Sequence, residues 1–323
     1  MDPRVLARIE RASGVGGLVD VLADALEPTD FSSLLLEVYR RRAERLSPAR
    51  VAERFRGSRF VRPSEVRPCS LRRFDALAFD RARALGWEEL ELAPVTPLGT
   101  CSSMAAVHQN VVLSTARNEE VVSDPTNVLA LECADRRRRG EGEQRLCTSH
   151  RVLRPQYQRG VNAWPHFRLF VLVHAGRAEG GMGFECRALL EQARWHLGLL
   201  ESARAAGLEA EQVRCDFTAL GGEPVRVALE QRVLAPLREE FPTAAVAFDD
   251  ERTHGRAYYT TASFAVRAQS RAGEELLLGD GGCTDWMQQL LGDKKERYVI
   301  SGFGSERYCA VCDPEGLIGG ATT

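Results

Sequence analysis

Two long strand-like segments joined by a short polar stretch constrain this chain more than any other feature. Residues 145–154 (RLCTSHRVLR) and 166–176 (HFRLFVLVHAG) have the composition and spacing typical of strands. The polar connection PQYQRGVNAWP lies between them and carries Arg159 and Trp164. The pattern predicts one long antiparallel hairpin, so the sheet that contains it is expected to be largely antiparallel.

Helix-like and strand-like segments alternate through most of the chain. A second hairpin is predicted where residues 110–115 and 119–126 flank a three-residue connection. Many antiparallel strands interrupted by helices predict an α+β fold and not a doubly wound parallel sheet. The other predicted helices cover 72–86, 127–139, 185–207, 225–241 and 284–292, and the other predicted strands cover 88–94, 213–220, 257–268 and 275–282.

The first part of the chain has a different pattern. Residues 4–56 are typical of several helices, and Pro63 and Pro68 interrupt that pattern in the segment that follows. We therefore predict a helical N-terminal region over 1–66 and a second domain over 67–323.

Charge and cysteine content exclude several classes of protein. The 43 basic and 45 acidic residues leave a net charge of -2, so no overall positive field favours nucleic acid or an anionic membrane. No run of about 18 apolar residues occurs, and the amino terminus does not have the pattern of a secretory signal. Nine scattered cysteines, an odd number, are expected to be mainly core residues and not a disulfide framework. We predict a cytoplasmic protein with no membrane contact.

Familiar nucleotide and hydrolase motifs are missing. The sequence contains no GxxxxGK[ST] loop, no HExxH helix and no GxSxG turn. Any nucleotide chemistry must therefore use another fold.

Three ordered motifs resemble those of another nucleotide-using family. GWEELELAP ends at Pro94, SHRVLRPQ is followed by HFRLF, and GDGGCTDWMQQLLGD is followed by ISGFGSERY. This order resembles the catalytic domain of class II aminoacyl-tRNA synthetases, most closely histidyl-tRNA synthetase and its paralogues. The resemblance covers roughly residues 70–312, and it implies an antiparallel sheet flanked by helices, with the N-terminal helical region as an appendage.

The resemblance implies a site for ATP and Mg²⁺. Arg151 takes the place of the arginine at the α-phosphate, His166 that of the γ-phosphate contact, and Phe170 and Arg307 those of the two groups that enclose adenine. An arginine suits phosphate because its guanidinium forms paired, charge-assisted hydrogen bonds. The remaining implied residues are Gly302 and Gly304, which leave room for the nucleotide, and Asp280 and Glu306, which are candidate Mg²⁺ carboxylates.

The implied amino-acid pocket departs from the histidyl pattern. SDPTN places Thr126 in the region of the carboxylate that binds the α-amino group, and HGRAYY keeps Tyr258 and Tyr259. In HGRAYY, His254 replaces a catalytic arginine, and its imidazolium would supply part of the lost charge. Other departures are Leu153 in place of a motif glutamate and the residues Leu172, Gly176, Cys283 and Thr284 near the expected substrate. Histidine is therefore not the expected substrate, and a small or apolar acid is.

Two functions fit these motifs. One is ATP-dependent activation of a small amino or carboxylic acid as an acyl-adenylate, which passes to a carrier protein, a small amine or a tRNA. The other is a catalytically inactive synthetase paralogue that acts as a regulatory or binding subunit. Only 16 residues follow Arg307, so no anticodon-binding domain is expected, and the first motif predicts a homodimer.

Overall fold

A computed structural model describes residues 2–105, 107–156, 164–208, 210–253, 255, 258–270, 273–313 and 316–318. Within these ranges an eight-stranded, mostly antiparallel sheet carries helices on both faces, which confirms the predicted α+β class. The order of strands across the sheet is β1-β4-β5-β10-β9-β8-β6-β7. A separate small sheet pairs β2 with β3. The strands are β1 (Glu88–Glu89), β2 (Val95–Pro97), β3 (Glu119–Val121), β4 (Gln144–Leu153), β5 (His166–Arg177), β6 (Glu211–Ala219), β7 (Ala245–Phe248), β8 (Ala262–Gln269), β9 (Glu275–Thr284) and β10 (Glu296–Phe303).

The helices begin in different ways, and the side chains of Asp2, Ser47 and Asp124 cap three of them. Several of them begin with proline in their first turn, where its missing N–H is harmless. The α-helices are α1 (Pro3–Ser13), α2 (Leu18–Asp20), α3 (Pro28–Glu44), α4 (Pro48–Gly57), α5 (Pro68–Ala84), α6 (Thr100–Met104), α7 (Pro125–Arg138), α8 (Gly183–Ala205), α9 (Glu223–Leu229), α10 (Ala235–Glu240), α11 (Trp286–Leu291) and α12 (Ser305–Cys312). In the described ranges, no helix is both long enough and apolar enough to cross a membrane.

The two faces of the large sheet have different cores. On one face, α5, α8 and α12 cover an aromatic core in which Phe170 stacks on Trp195 at 4.8 Å and Phe74 stacks on Phe303 at 5.3 Å between ring centroids. On the other face, α7 and α11 cover a smaller core that includes Val171 and Ile300. We call these the α8 face and the α7 face of the sheet. Because successive side chains of a strand point to opposite faces, the adjacent strands β4, β5 and β10 contribute to both cores.

The structure confirms the long hairpin and shows the second one over a shorter stretch than predicted. β4 and β5 pair antiparallel along their length, with Arg151 opposite Arg168. The second predicted hairpin is present but short, since Ser114 and Glu120 form an antiparallel bridge and the N–H of Thr115 donates to the carbonyl oxygen of Glu119 at 2.8 Å. The other edge of β3 pairs with β2, which the sequence did not predict. The sequence pattern does not predict the short edge strand β7, whose four residues are too few to show a clear alternation.

Cysteines behave as the sequence predicted. Eight of the nine are buried, Cys69 is exposed, and none of them forms a disulfide. Burial raises the pKa of the Cys309 thiol, which keeps it protonated. Cys309 and Cys312 lie in the core of the α8 face, so the CxxC pair packs as two small apolar side chains.

The linker after α4 is bonded to the hairpin. Arg59 donates a hydrogen bond to the carbonyl oxygen of Pro155, at one end of the β4–β5 connection. At the other end, Nε2 of His166 donates to the carbonyl oxygen of Arg62 at 2.7 Å. The domain boundary near residue 66 stays a prediction, and the residues just before it are attached to the second domain.

Glycines of β9 allow its close packing between neighbouring strands. A Cβ at Gly281 would lie 2.5 Å from the carbonyl oxygen of Ile300 and 2.7 Å from the Phe264 ring, whereas at Gly302 its nearest neighbour is a Val171 methyl at 3.7 Å. Gly281→Ala is therefore expected to lower the free energy of unfolding by about 2 kcal/mol, and Gly302→Ala to have little effect. Urea denaturation of both variants measures this, and equal losses would contradict the packing argument.

Candidate functional site

A cavity of about 600 Å³ opens on the α7 face of the sheet, over the ends of β5, β9 and β10. Its size is in the range of small-molecule sites in proteins. Apolar side chains of β5 and β10, including Leu169, Val171 and Ile300, line part of its wall. Its polar lining consists mainly of Ser123, Asp124, Thr126, Arg154, Tyr258, Tyr259, Asp280 and Arg307.

Asp124 forms one polar cluster of the cavity. It is the N-cap of α7, where its Oδ1 accepts a hydrogen bond from the backbone N–H of Thr126 at 3.0 Å. Its Oδ2 accepts a hydrogen bond from the Tyr258 hydroxyl at 2.9 Å. An Arg154 guanidinium nitrogen lies 4.0 Å from the same oxygen, and Arg154 also donates to the carbonyl oxygen of Ser123.

Asp280 forms a second polar cluster. Its Oδ2 accepts a hydrogen bond from the Tyr259 hydroxyl at 3.2 Å and lies 3.3 Å from Nη2 of Arg252. Arg252 is almost fully buried and lies 5.7 Å from the centre of the Tyr259 ring. The Asp280 side chain remains 39% exposed, so its carboxylate can reach a ligand in the cavity.

The two tyrosines are neutral hydrogen-bond donors. Burial, assisted by the negative charge of Asp124, raises the pKa of Tyr258 well above its ordinary value. Burial and the charge of Asp280 raise the pKa of Tyr259 in the same way. Both phenols therefore stay protonated at neutral pH and orient the two carboxylates.

Arg307 forms the cationic end of the cavity. It lies in the first turn of α12, immediately after the open segment formed by Gly302 and Gly304. Burial lowers the pKa of its guanidinium, which nonetheless stays charged at neutral pH. Within the described ranges, it forms one long hydrogen bond, to the carbonyl oxygen of Leu277 at 3.3 Å, and no ion pair.

Three residues of the predicted ATP site lie on the opposite, α8 face of the sheet. Arg151 is bonded to Glu306 at 3.0 Å and to Nδ1 of His166 at 3.0 Å. Phe170 is fully buried between Trp195 and Phe79. The structure does not support the predicted contacts of Arg151, His166 and Phe170 with ATP, because strand alternation turns residues 166, 168 and 170 away from the cavity.

The predicted pair of Mg²⁺ carboxylates does not converge either. Glu306 is buried, and its carboxylate accepts hydrogen bonds from Ser64 and from the backbone N–H of Arg168. Asp280 lies on the cavity side and is engaged by Tyr259 and Arg252. The described part of the chain holds no group of three or more His, Cys, Asp or Glu side chains suited to a metal ion. These residues do not fit the predicted Mg²⁺ site.

The remaining predicted residues divide into three groups. Seven of them line the cavity, and their predicted contacts with a ligand stay predictions: Thr126, Tyr258, Tyr259, Asp280, Gly302, Gly304 and Arg307. Thr284 is buried on the α7 face opposite Tyr298 and does not line the cavity. His254 lies outside the described residues. Of the residues that depart from the histidyl pattern, Leu172, Gly176 and Cys283 face the α8 core and not a substrate.

Sequence reasoning missed three charged residues of the site. Asp124 could have been found, since Asp followed by Pro is a frequent start of a helix and its carboxylate is then fixed at the helix end. Arg154 is the arginine of the RPQ segment. It follows Arg151 by three positions, an odd number, so the two side chains point to opposite faces and Arg154 lies on the cavity side. The sequence around Arg252 does not indicate its role, because only folding brings this arginine to Asp280.

Comparison with solved structures agrees with this arrangement of strands and helices. No protein-family profile and no curated protein matches the sequence. An ATP phosphoribosyltransferase regulatory subunit/histidyl-tRNA synthetase from Bacillus halodurans is similar, with a TM-score of 0.60 and 12% identity over 78% of this chain and 83% of that one. The chain shares its fold with synthetase-related structures.

Two further synthetase structures share this fold. The apo histidyl-tRNA synthetase of S. aureus has a TM-score of 0.58 and 14% identity, covering 78% of this chain and 69% of that one. The RNA binding domain of threonyl-tRNA synthetase from Cryptosporidium parvum has a TM-score of 0.57 and 10% identity, covering 75% of this chain and 63% of that one. At identities this low, structural similarity establishes the fold alone. The chemistry must therefore be argued from the cavity itself.

Proposed function

We propose that this synthetase-like chain binds ATP and a small amino or carboxylic acid in the α7-face cavity and joins them as an acyl-adenylate. The observation that carries the proposal is Arg307, a half-buried cation that faces the cavity and forms no ion pair within the described residues. A buried charge without a counterion is costly, and a phosphate group is the natural anionic ligand for a guanidinium.

The other charged groups suit the acid. Asp124 and Asp280 present carboxylates to the same cavity, and each is held by a neutral tyrosine. A carboxylate oriented in this way recognises an ammonium group, as found in an amino acid. The apolar wall formed by Leu169, Val171 and Ile300 offers no polar partner to a polar substrate side chain. The cavity therefore favours a small or aliphatic amino acid.

The proposed reaction needs positioning and charge stabilisation but no general base. A carboxylate oxygen of the acid forms a bond to the α-phosphorus of ATP, and the bond from that phosphorus to the bridging oxygen breaks, releasing pyrophosphate. Charge that develops on the phosphates is stabilised by Arg307, and Arg154 is the second cation among the cavity-lining residues. The acyl-adenylate then passes to an acceptor, for which a carrier protein, a small amine and a tRNA are the candidates.

A second candidate function follows from the placement of Arg151. This arginine, predicted at the α-phosphate, is bonded to Glu306 on the α8 face and is not available to a ligand in the cavity. A site with fewer cations supports binding more readily than phosphoryl chemistry. The alternative is therefore a regulatory or binding subunit that holds the same ligands without reaction, in the homodimer predicted from the sequence.

Pyrophosphate exchange into ATP distinguishes the two candidates. We expect exchange that depends on an added amino acid, with a small or aliphatic amino acid ranking above histidine because the wall lacks polar partners for imidazole. Thermal shift with the same compounds measures binding alone. Stabilisation by ATP without exchange would favour the regulatory function, and the absence of both would reject the site. Histidine as the best substrate would contradict the specificity argument.

A further inference from the structure

The N-terminal helices have no core of their own. None of the residues of α1 to α4 is buried. Of the sixteen large apolar side chains that are exposed in the described ranges, ten belong to residues 15–61. Helices of this length are marginal in water unless an apolar face is packed. The region therefore presents apolar surface that another chain can cover.

Helix α3 carries the most continuous part of this surface. Phe31, Leu34, Leu35 and Val38 recur at helical spacing and share one face of the helix. Leu34 and Val38 are each 41% exposed, and Phe31 and Leu35 are half-buried. We call these four residues the α3 stripe.

The α3 stripe is flanked by acidic residues at its start and by basic residues at its end. By helical spacing, Glu27 at the start of α3 lies in line with the stripe, as do Arg42 and Arg45 at its end, and Asp30 flanks it. All four are exposed, and none forms an ion pair within the described ranges. Elsewhere on the helix the charges are satisfied, since Glu37 pairs with Arg40 and Arg41, and Arg40 also pairs with Glu44.

We propose that the α3 stripe binds the α3 stripe of a second copy of this chain, with the two helices antiparallel about a two-fold axis level with Leu36. In that register, Glu27 lies opposite Arg45 of the other copy, Asp30 opposite Arg42, and Leu34 opposite Val38. Two-fold symmetry makes each of these contacts twice. A helix with an acidic start and a basic end is complementary to itself only in the antiparallel orientation, which is why a second copy fits this surface.

The position of α3 on the molecule agrees with this pairing. Asn118, in the connection between β2 and β3, donates hydrogen bonds to the carbonyl oxygen of Pro28 at 3.1 Å and to the Ser32 hydroxyl at 2.9 Å. The start of α3 is thereby fixed beside β2, which directly follows Pro94 of the first motif. The homodimer predicted from that motif and the proposed helix pair are therefore on adjoining surfaces. The pairing does not depend on the ligand of the cavity.

Cysteine cross-linking in the full-length chain tests the pairing directly. Leu35→Cys, in a Cys69→Ser background that removes the exposed thiol, places two thiols close to the proposed axis. Mild oxidation is expected to give a reducible, covalently linked dimer. Leu36→Cys is the matched control, because residue 36 is turned by about 100° away from the stripe. Equal cross-linking of the two variants, or none of either, would overturn the proposal.

Charge reversal separates a specific pair from random collision. In the Leu35→Cys background, Glu27→Lys with Asp30→Lys puts like charges in all four proposed pairs and is expected to lower association roughly tenfold. Arg42→Glu with Arg45→Glu should do the same. An equal mixture of the two variants restores opposite charges and should restore cross-linking between them. Glu239→Lys with Glu251→Lys, which changes the net charge equally on exposed residues elsewhere, should leave cross-linking unchanged.

The mixing experiment also distinguishes a disrupted interface from a variant that has failed to fold. A variant that fails to fold remains unable to cross-link when mixed, so circular dichroism of each variant and restored cross-linking in the mixture together identify the interface. Folded variants that stay uncoupled after mixing would overturn the antiparallel register.

Discussion

Arg307→Ala is expected to weaken ATP binding by up to about a hundredfold, since a charge-assisted pair with phosphate in a half-buried site contributes at most about 3 kcal/mol. The guanidinium lies in the cavity and forms no ion pair within the described ranges, so its removal leaves no buried carboxylate unpaired. The apo protein should therefore keep its stability while losing the ligand. Isothermal titration calorimetry with ATP measures the affinity, and thermal unfolding without ligand measures the fold.

A matched variant shows whether the effect is specific to the cavity. Arg151→Ala removes an arginine that the sequence also assigned to ATP but that the structure bonds to Glu306 on the α8 face. This variant should destabilise the fold, because it leaves a buried carboxylate without its cation, and should change ATP affinity little. If Arg151→Ala abolishes ATP binding in a stable protein while Arg307→Ala does not, the proposed nucleotide end of the cavity is misplaced.

His196 is expected to make the fold sensitive to mild acid. It is fully buried among Trp195, Phe264 and Phe303, and burial lowers its pKa from 6.5 to about 3. The folded state therefore holds the neutral ring, and the unfolded state binds the proton first. The contribution of the neutral His196 ring to the free energy of unfolding is complete well above pH 6.5 and is lost as the pH falls towards 3. About 2 kcal/mol of it is lost between pH 7 and pH 5.

His196→Leu isolates this contribution, because leucine has a similar volume and no titratable group. Urea denaturation at pH 7 and pH 5 should show a smaller loss for His196→Leu than for the wild-type protein. His150, whose pKa burial also lowers, acts in the same direction in both proteins and cancels in the comparison. Parallel losses in the two proteins would show that His196 is not the acid-sensitive group.

The sequence predicts the elements of the sheet better than the faces to which their side chains point. Alternation and the polar connection suffice for the β4–β5 hairpin, and Gly302, Gly304 and Arg307 of the glycine-rich third motif line the cavity. Motif spacing does not reveal that Arg151 lies opposite Arg168 in the register of β4 and β5, on the α8 face of the sheet. A shift of one residue in a strand exchanges the two faces, so a site transferred by motif is accurate only where the strand register is known.

Long-range contacts explain the rest of what was missed. Arg252 and Asp280 are far apart in the sequence and meet only because β8 and β9 lie side by side with Tyr259 leading into β8. Asp124 is a different case, since its role as helix cap is local and was readable from the sequence. The part of the site that could not be predicted is therefore the part assembled by the sheet.

Hydrogen bonds to the hairpin make the linker a fixed connection and not a flexible one. A flexible linker lets two parts of a chain sample many orientations, whereas residues 59–64 are fixed to both ends of the β4–β5 connection and to Glu306. Glu306 directly precedes Arg307, one of the two arginines that line the cavity. Whatever covers the N-terminal helices is thus held at a set distance from the ligand site, because Arg59, Arg62 and Ser64 connect those helices to the hairpin and to α12.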